Sequence, residues 1–395
     1  MMMIDLKTIK KRIEHAIKPM EKAGVDEYFW GIRSEAGDSL PPYYLVYFLL
    51  VDLLDFNFNG PEEKVAFSIP VKIENTTLIV EYRKMGLGIF IKNKNDEDKA
   101  KVILKCIQSG VKAGTEYFNY IADEAAKTSN LNVNNNSNEL YDRFCHFFNC
   151  YDNINKQIIG IEAKPEVHVQ NTPTLTLDNK NSFSIQTSNI FENHNKIAHL
   201  RKEAIWYAIS AIESFFNWTE HVFILIAILN GKIKTGVDVS DKIGEEWKTK
   251  FKLAIDINTP EIKVFYDRLI ILRQKIRNFV SHGSFGKDGQ TLEFHSPVGA
   301  VPLLMPHRQN KEHFKFGNGV DFVAPEAMEL LQEFVKNMWS GDLLPAKIHI
   351  ESGNPLILSY AINGKYANAM SSEDDMNNFV EHLTRIFDDA SNMDW

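Results

Sequence analysis

The chain has 395 residues, a length that allows two or three domains, each with its own apolar core. Apolar residues make up 44% and charged residues 24%, as in an ordinary soluble globular protein, and no run of 18 apolar residues predicts a membrane span. The net charge of −8 excludes binding of nucleic acid by bulk charge. Three cysteines without metal-ligand spacing, and a first segment without a signal-peptide core, predict a cytoplasmic protein.

Residues 1–127 have the pattern of an α/β domain, whose role the sequence does not indicate. An opening helix is predicted from about Leu6 to Ala23, and a long amphipathic helix begins at Asp96. A hairpin turn is predicted near Glu74-Asn75. The predicted strands on either side of it are Lys64–Val71, Leu78–Arg83 and Gly88–Ile91.

Residues 128–192 are predicted to be a linker and bridge. Thr128–Asn138 contains six asparagines in eleven residues, a composition that is typical of a flexible linker or loop. A helix is predicted over Glu139–Ile154. It is followed by an Asn/Thr-rich stretch, Thr172–Ser188, whose alternating apolar residues predict extended structure.

Residues 193–341 are predicted to form a central all-α bundle of four helices with a strand-like insertion. The predicted helices are Lys196–Leu229, Gly244–Ala254, a third that starts at Pro260, and a fourth over Pro325–Trp339. Residues 342–395 form a predicted small α+β tail, with extended segments at Lys347–Glu351 and Leu356–Ile362 and a helix over Ser372–Asp389. The fold class is therefore multidomain α+β with an α-helical centre.

The third helix of the bundle ends in a group of polar residues. Its apolar residues recur at spacings of four and three residues, which keeps them on one helical face, and Gly283 stands where a helix commonly ends. Arg277, Asn278 and His282 therefore gather near the helix end. A guanidinium can hold phosphate oxygens and an imidazole can move a proton near neutral pH, so this set suits a phosphodiester substrate.

Two further features favour a polyanion site at this helix end. Between Lys263 and Lys287 six basic residues face one acid, Asp267, and this local excess includes Arg273 and Lys275. A solvated helix face is the simpler interpretation of such a run. The first helix of the bundle is almost wholly apolar but carries a narrow stripe of polar residues. Its members are Ser210, Glu213, Ser214, Asn217, Glu220 and His221.

Arg277-Asn278-Phe279-Val280-Ser281-His282 resembles the R-N-x-x-x-H form of the HEPN motif, and the resemblance covers roughly Asn193–Gly341. HEPN domains are all-α, and many are metal-independent ribonucleases of bacterial toxin, CRISPR and antiviral systems. In that family a Glu of the first helix, often followed four residues later by a basic residue, orients the Arg–His pair. Glu213 matches that Glu, whereas Asn217 stands where the basic residue is expected.

The resemblance implies an RNA endonuclease that uses no metal or other cofactor and leaves a cyclic phosphate. It implies catalytic roles for Arg277, Asn278, His282 and Glu213. RNA-binding roles are expected for Arg273, Lys275 and Asn217. The expected partners are RNA, a second copy of the chain joined through the helical domain, and proteins of a defence system, with no membrane.

Two other functions stay open at this point. A non-catalytic HEPN-like module, structural or ligand-sensing within a defence complex, would keep the same core pattern. A metal-dependent nuclease in the N-terminal domain would use acids near the predicted hairpin. Its candidate residues are Asp52, Asp55, Glu74, Glu81 and Lys84.

Overall fold

The computed structural model describes residues 5–163, 180–277, 290–304, 313–316 and 322–393, with the backbone alone described for 180–192, 290 and 291. The chain is a mixed α+β protein with a long helical region and small sheets, so the coarse fold class is confirmed. It divides into two compact units. Unit 1 contains the residues up to Leu131, Thr235–Val237 and those from Asn378 on; unit 2 contains Asn132–Lys234 and Asp238–Asn377.

Unit 1 is built on a five-stranded antiparallel sheet. Its helices are α1 (Leu6–Ala16), α2 (Tyr43–Tyr47, continued by a π-helical stretch to Leu53), α3 (Glu97–Ala113) and α4 (Thr115–Ala126). Its strands are β1 (Glu21–Lys22), β2 (Ile32–Arg33), β3 (Val65–Ile73), β4 (Thr76–Arg83) and β5 (Gly86–Ile91), in the order β1-β3-β4-β5-β2.

The central hairpin of this sheet is confirmed. Glu74 and Asn75 connect β3 to β4 with positive φ angles of 47° and 63°, the backbone that a two-residue hairpin turn requires. Alternate residues of β3, β4 and β5 pack with α1 and α3 into one apolar core, which includes Ile69, Val80 and Ile89. The opening helix is shorter than predicted, because the chain leaves α1 after Ala16 and soon joins the sheet edge as β1.

Unit 2 is mainly helical. Its elements before the insertion are β6 (Asn132–Val133), α5 (Ser137–Glu162), α6 (Lys180–Leu229), α7 (Gly236–Ile243), α8 (Trp247–Ala254) and α9 (Pro260–Ile276). The elements that follow are β7 (Gln290–Ser296), β8 (Gly299–Leu304), β9 (Lys315–Phe316), α10 (Ala324–Met338), α11 (Leu344–Glu351), β10 (Leu356–Ile357), α12 (Leu358–Ile362), α13 (Lys365–Ala369) and α14 (Glu373–Asn392). The first two residues of α7 and most of α14, from Asn378 on, belong to unit 1. There Met393 O accepts a hydrogen bond from Lys64 N at 3.1 Å.

The core of unit 2 surrounds α6. Phe215 and Phe223 of α6 are fully buried and contact Phe334 of α10 and Phe251 of α8, respectively. Among the described residues, α6 over Asn193–Leu229 is long and apolar enough to span a bilayer, but 78% of its most apolar window is buried within the protein. That burial favours a core helix. Gly231, with φ of +66°, follows its end as predicted.

Several predicted segments differ in the structure, among them Leu356–Ile362, which is extended only over Leu356–Ile357 and helical over Leu358–Ile362. Residues 180–188, predicted to be extended, begin α6, and residues 172–179 lie outside the described part of the chain. Lys347–Glu351 is helical, because Pro345 lies in the first turn of α11 and pre-sets its backbone. The Asn-rich segment, predicted to be a linker or loop, contains β6, which pairs with β10, and Asn135 Nδ2 donates to Ile350 O at 2.8 Å.

Candidate functional site

Arg277 lies at the C-terminal end of α9, as predicted. Pro260 begins this helix after Thr259, and Leu269, Leu272 and Ile276 form its buried stripe. Arg277 continues the helical backbone and its side chain is exposed. The other two residues of the motif, Asn278 and His282, lie outside the residues that the structure describes.

Glu213 and Asn217, the residues expected to face the motif, lie on the exposed stripe of α6. Their neighbours along the helix, Ser214 and Trp218, are buried. Within the described part of the chain, neither Glu213 nor Asn217 makes a hydrogen bond or ion pair, so neither contacts Arg277 in that way. The carboxylate of this stripe that does contact α9 is Glu220, seven residues after Glu213.

Glu220 joins three helices. Its Oε1 accepts a hydrogen bond from Arg273 Nη2 of α9 at 2.6 Å, and its Oε2 lies 3.0 Å from Lys250 Nζ of α8. The Lys250 side chain is only 5% exposed, whereas those of Glu220 and Arg273 are 30% and 36% exposed. Removing charges from water is costly, so the pairing with Glu220 is what makes a buried Lys250 tolerable here.

Aromatic rings hold the Arg273 guanidinium on its apolar side. Its central carbon lies 5.3 Å from the ring centre of Phe216 and 5.9 Å from that of Trp247. Trp247 is itself buried, and its Nε1 donates to Thr219 Oγ1 at 2.9 Å. Arg273 Nη1 is buried and has no hydrogen-bond partner among the residues that the structure describes. The guanidinium is therefore fixed by one charged contact and two rings.

The contacts of α9 give its direction relative to α6 and α8. Tyr266 packs against Phe251 at 5.2 Å between ring centres, and Arg273, two turns later, lies beside Trp247, which precedes Phe251 in α8. Phe251 in turn contacts Phe223 of α6, beyond Glu220. The helix α9 therefore runs antiparallel to α6 at this point. Because one further helical turn is about 5.4 Å long, Arg277 extends from Arg273 in the direction of the α6 residues that precede Glu220.

Arg277 also lies close enough to Glu246, which precedes α8, to affect the pKa of that carboxyl. The pKa of Glu246, which immediately precedes α8, is lowered by a hydrogen bond and charge contact from Lys248, with smaller contributions from the positive charges of Arg277 and Arg273. Glu246 is exposed, so this effect marks proximity and carries no large energy.

Lys275, an expected RNA-binding residue, faces a different part of unit 2. It lines a cleft of about 160 Å³ between α9 and α10, together with Arg268, Ile271 and Glu326. Residues two apart on a helix point to different sides, so Lys275 cannot share the surroundings of Arg273. Of the expected RNA-binding residues, only Arg273 has its position defined by contacts with both α6 and α8.

Another polar residue of the stripe, His221, is hydrogen-bonded elsewhere. Its Nε2 accepts a hydrogen bond from the backbone N of Asn136 at 3.0 Å, which requires a neutral ring at that nitrogen. Burial lowers the pKa of His221, in the same direction. This histidine therefore anchors the Asn-rich segment to α6 and is not available to act beside Arg277.

Two of the acids proposed for a metal-dependent nuclease, Glu81 and Asp55, are paired with other residues. Glu81 is buried and accepts hydrogen bonds from Ser68, Tyr28 and Arg83. Asp55 pairs with Lys10 at 2.5 Å. Among the residues that the structure describes, no group of three or more His, Cys, Asp or Glu side chains is arranged to hold a metal ion.

Sequence reasoning noticed Glu220 only as a member of the stripe and missed Lys250 and Trp247. For Glu220 the available signal was its position seven residues after Glu213, on the same helical face as that residue.

No known family model matches the chain, and neither does any curated protein or solved structure.

Proposed function

We propose that the helical region of unit 2 is a metal-independent RNA endonuclease of the HEPN type, acting in the cytoplasm in bacterial antiviral defence or a toxin–antitoxin-like system. The observation that carries the proposal is the Glu220–Arg273 contact of 2.6 Å. It joins the polar stripe of α6 to the basic end of α9, and the Arg-Asn…His motif continues from that end.

In this proposal the ribose 2′-hydroxyl attacks the adjacent phosphorus. The O2′–P bond forms and the P–O5′ bond breaks, which leaves a 2′,3′-cyclic phosphate and a 5′-hydroxyl. A base takes the 2′ proton and an acid protonates O5′, and His282 serves in one of these steps. Arg277 stabilises the charge that develops on the phosphorane oxygens, with Arg273 behind it.

Asn278 would hold His282 or the phosphate in position, and Glu213 would orient the pair. Because one Arg–His set is a small site, we propose that two copies of the chain bring two sets together across a twofold axis. Two apolar side chains on the exposed face of α9, Val264 and Ile271, support a helix–helix interface, since they are 55% and 53% exposed.

Incubation of total RNA with purified protein in excess EDTA tests the activity. Wild-type protein should produce fragments that carry cyclic phosphate ends, and His282→Ala should produce none. His199→Ala is the matched control, since His199 is an exposed histidine of α6 that lies outside the motif. If wild type and His282→Ala give equal fragmentation, the activity does not come from this site.

Absence of cleavage by both proteins would favour the non-catalytic module instead. In that case the departure at Asn217, where the family expects a basic residue, would mark the loss of catalysis. Cleavage that appears only with added Mg²⁺ would favour the metal-dependent alternative.

A further inference from the structure

The sheet of unit 1 has a second face, opposite the apolar core, that the proposed nuclease does not use. This outer face is defined by the residues that alternate with the core residues in β3, β4 and β5. They include Ser68, Lys72, Thr77, Glu81, Arg83 and Phe90, and Lys92 follows β5 in the same alternation.

Residues Gly24–Gly31, here called the covering segment, cross this outer face and are fastened to it by side chains. Glu27 accepts hydrogen bonds from Thr77 Oγ1 and from Lys72 Nζ, the latter at 3.4 Å. These contacts lower the pKa of Glu27 to about 2, with the Thr77 hydrogen bond contributing most, so the carboxylate is charged at neutral pH.

A buried polar network lies beneath the covering segment. Glu81 is fully buried and accepts hydrogen bonds from Ser68 Oγ at 2.5 Å, from Tyr28 Oη at 3.1 Å and from Arg83 Nε. Burial, followed by the nearby Glu81 charge, raises the pKa of Tyr28 to about 12, so its hydroxyl stays protonated and donates. Ser68 and Tyr28 fix the Glu81 carboxylate, whose other oxygen accepts from Arg83 Nε and so orients the Arg83 guanidinium.

Arg83 in turn supports an exposed tryptophan. Its guanidinium lies over Phe90 at 4.0 Å, and Trp30 of the covering segment lies over the same guanidinium at 5.3 Å. Tyr28 contacts the Trp30 ring edge-on at 6.0 Å. Trp30 is nevertheless 73% exposed. The order from the sheet outwards is therefore Phe90, Arg83, Trp30, and the indole is supported from below while much of its surface stays open to solvent.

Burial of an indole ring would stabilise the folded state more than exposure does. Folding stability alone therefore does not explain why Trp30 is held in an exposed position. A ring that is both fixed and exposed suits a partner that stacks on it. The partner is not a cation, since the Arg83 charge behind the ring opposes the approach of a second positive charge to the front. An electron-rich planar group is favoured instead.

The same face carries a cation beside the covering segment. Lys92 is two residues beyond Phe90 on the outer face. Its Nζ lies over the Phe29 ring at 4.7 Å, and within the described part of the chain it has no carboxylate partner. Phe29 directly precedes Trp30 in the covering segment, so the Lys92 ammonium contacts the residue next to the exposed indole.

We propose that the outer face of unit 1 binds a nucleotide, with its base stacked on Trp30 and its phosphate at Lys92. The nucleotide is either free or part of an unpaired strand, since both present the same chemistry. This binding site is separate from the proposed nuclease and does not depend on it.

Fluorescence anisotropy of the full chain with a short labelled 2′-O-methyl oligonucleotide tests the proposal. The methylated strand lacks the attacking hydroxyl, so cleavage does not affect the signal. Trp30→Ala should weaken binding about 10-fold, because stacking of one base on an aromatic ring contributes on that order. Trp30→Phe should retain most of the affinity, and Lys92→Gln should weaken binding and reduce its dependence on salt.

Trp206→Ala is the matched control, because Trp206 is a 60% exposed tryptophan of α6 in unit 2. It should leave the affinity unchanged. Competition by unlabelled ATP would identify a free nucleotide as the ligand, whereas displacement by unlabelled strand alone would identify unpaired nucleic acid. Equal binding by wild type and Trp30→Ala, or no binding of either ligand by wild type, would overturn the proposal.

Failure of the nucleotide-site proposal can be distinguished from failure of the nuclease proposal. RNA cleavage by a Trp30→Ala protein whose affinity for the oligonucleotide is about 10-fold weaker would leave both proposals standing. Cleavage with oligonucleotide binding that depends on Arg277 and not on Trp30 would reject only the nucleotide site. Oligonucleotide binding that depends on Trp30, without cleavage, would reject only the nuclease.

Discussion

Glu220 Oε1 accepts a hydrogen bond from Arg273 Nη2 at 2.6 Å, and this contact links the C-terminal part of α6 to the last turns of α9. The same carboxylate neutralises Lys250 of α8, whose side chain is 5% exposed. One acid therefore serves two cations on two helices. The position of the motif that follows Arg273 depends on this acid more directly than on Glu213.

Glu220→Gln should lower the free energy of unfolding by about 2 kcal/mol. Breaking a fully buried pair costs more, but Glu220 and Arg273 are each about one-third exposed, which reduces the loss. Urea unfolding of wild type and Glu220→Gln measures the difference in the free energy of unfolding. Glu162→Gln, which removes the exposed pair with Arg201, is the control and should cost less than about 1 kcal/mol.

A second substitution separates charge burial from loss of packing. In the Glu220→Gln background, Lys250→Met should recover part of the stability, because the buried ammonium that lost its partner is then absent. If the double variant is less stable than Glu220→Gln alone, Glu220 does not act mainly by neutralising Lys250.

Arg277→Lys should lower the rate constant of RNA cleavage about 100-fold and change the affinity for 2′-O-methyl RNA much less. Lysine keeps the positive charge but cannot donate two parallel hydrogen bonds to the phosphorane oxygens. Single-turnover cleavage and anisotropy measure the two effects. Arg268→Lys, on the exposed face of α9, is the control. A full cleavage rate in Arg277→Lys would remove Arg277 from the chemical step.

The helices near the site could be predicted because their ends carry local signals. Pro260 and Pro325 set the first turns of α9 and α10, and Gly231 follows the end of α6 with the positive φ that glycine accepts readily. The start of α6 was missed, since Asn- and Thr-rich residues have low helix propensity and only continuity with a long helix overrides it.

The pairing within the site could not be predicted from spacing. Glu213 and Glu220 share one face of α6, and nothing in their separation says which of them meets α9. That choice depends on how far the antiparallel helices α6 and α9 are offset. The sequence of α8 likewise carries no signal that Lys250 is buried, because its position beside Glu220 depends on packing.

Expression of the full chain in a bacterial host should slow growth, and expression of His282→Ala at the same level should not. Cleavage of cellular RNA would remove messages that growth requires. Growth curves with matched immunoblots, together with total RNA gels, measure the effect. Equal growth inhibition by both proteins would show that the toxicity does not come from the proposed site.

Stability should fall between pH 7 and pH 5 through His349 of α11. This histidine is fully buried, and burial lowers its pKa from 6.5 to about 4. The unfolded chain therefore binds more protons than the folded chain between these values, so stability rises with pH across that window. The stability that the neutral His349 ring contributes at pH 7 is reduced by about 2 kcal/mol at pH 5 and is lost as the pH approaches 4.

Urea unfolding of wild type and His349→Gln at both pH values tests this pH dependence. The variant has no imidazole to protonate at this position, so its loss of stability between pH 7 and pH 5 should be smaller by that amount, whatever its stability at pH 7. The exposed-histidine variant His199→Ala should keep the full loss. An unchanged loss in His349→Gln would show that this imidazole does not control acid stability.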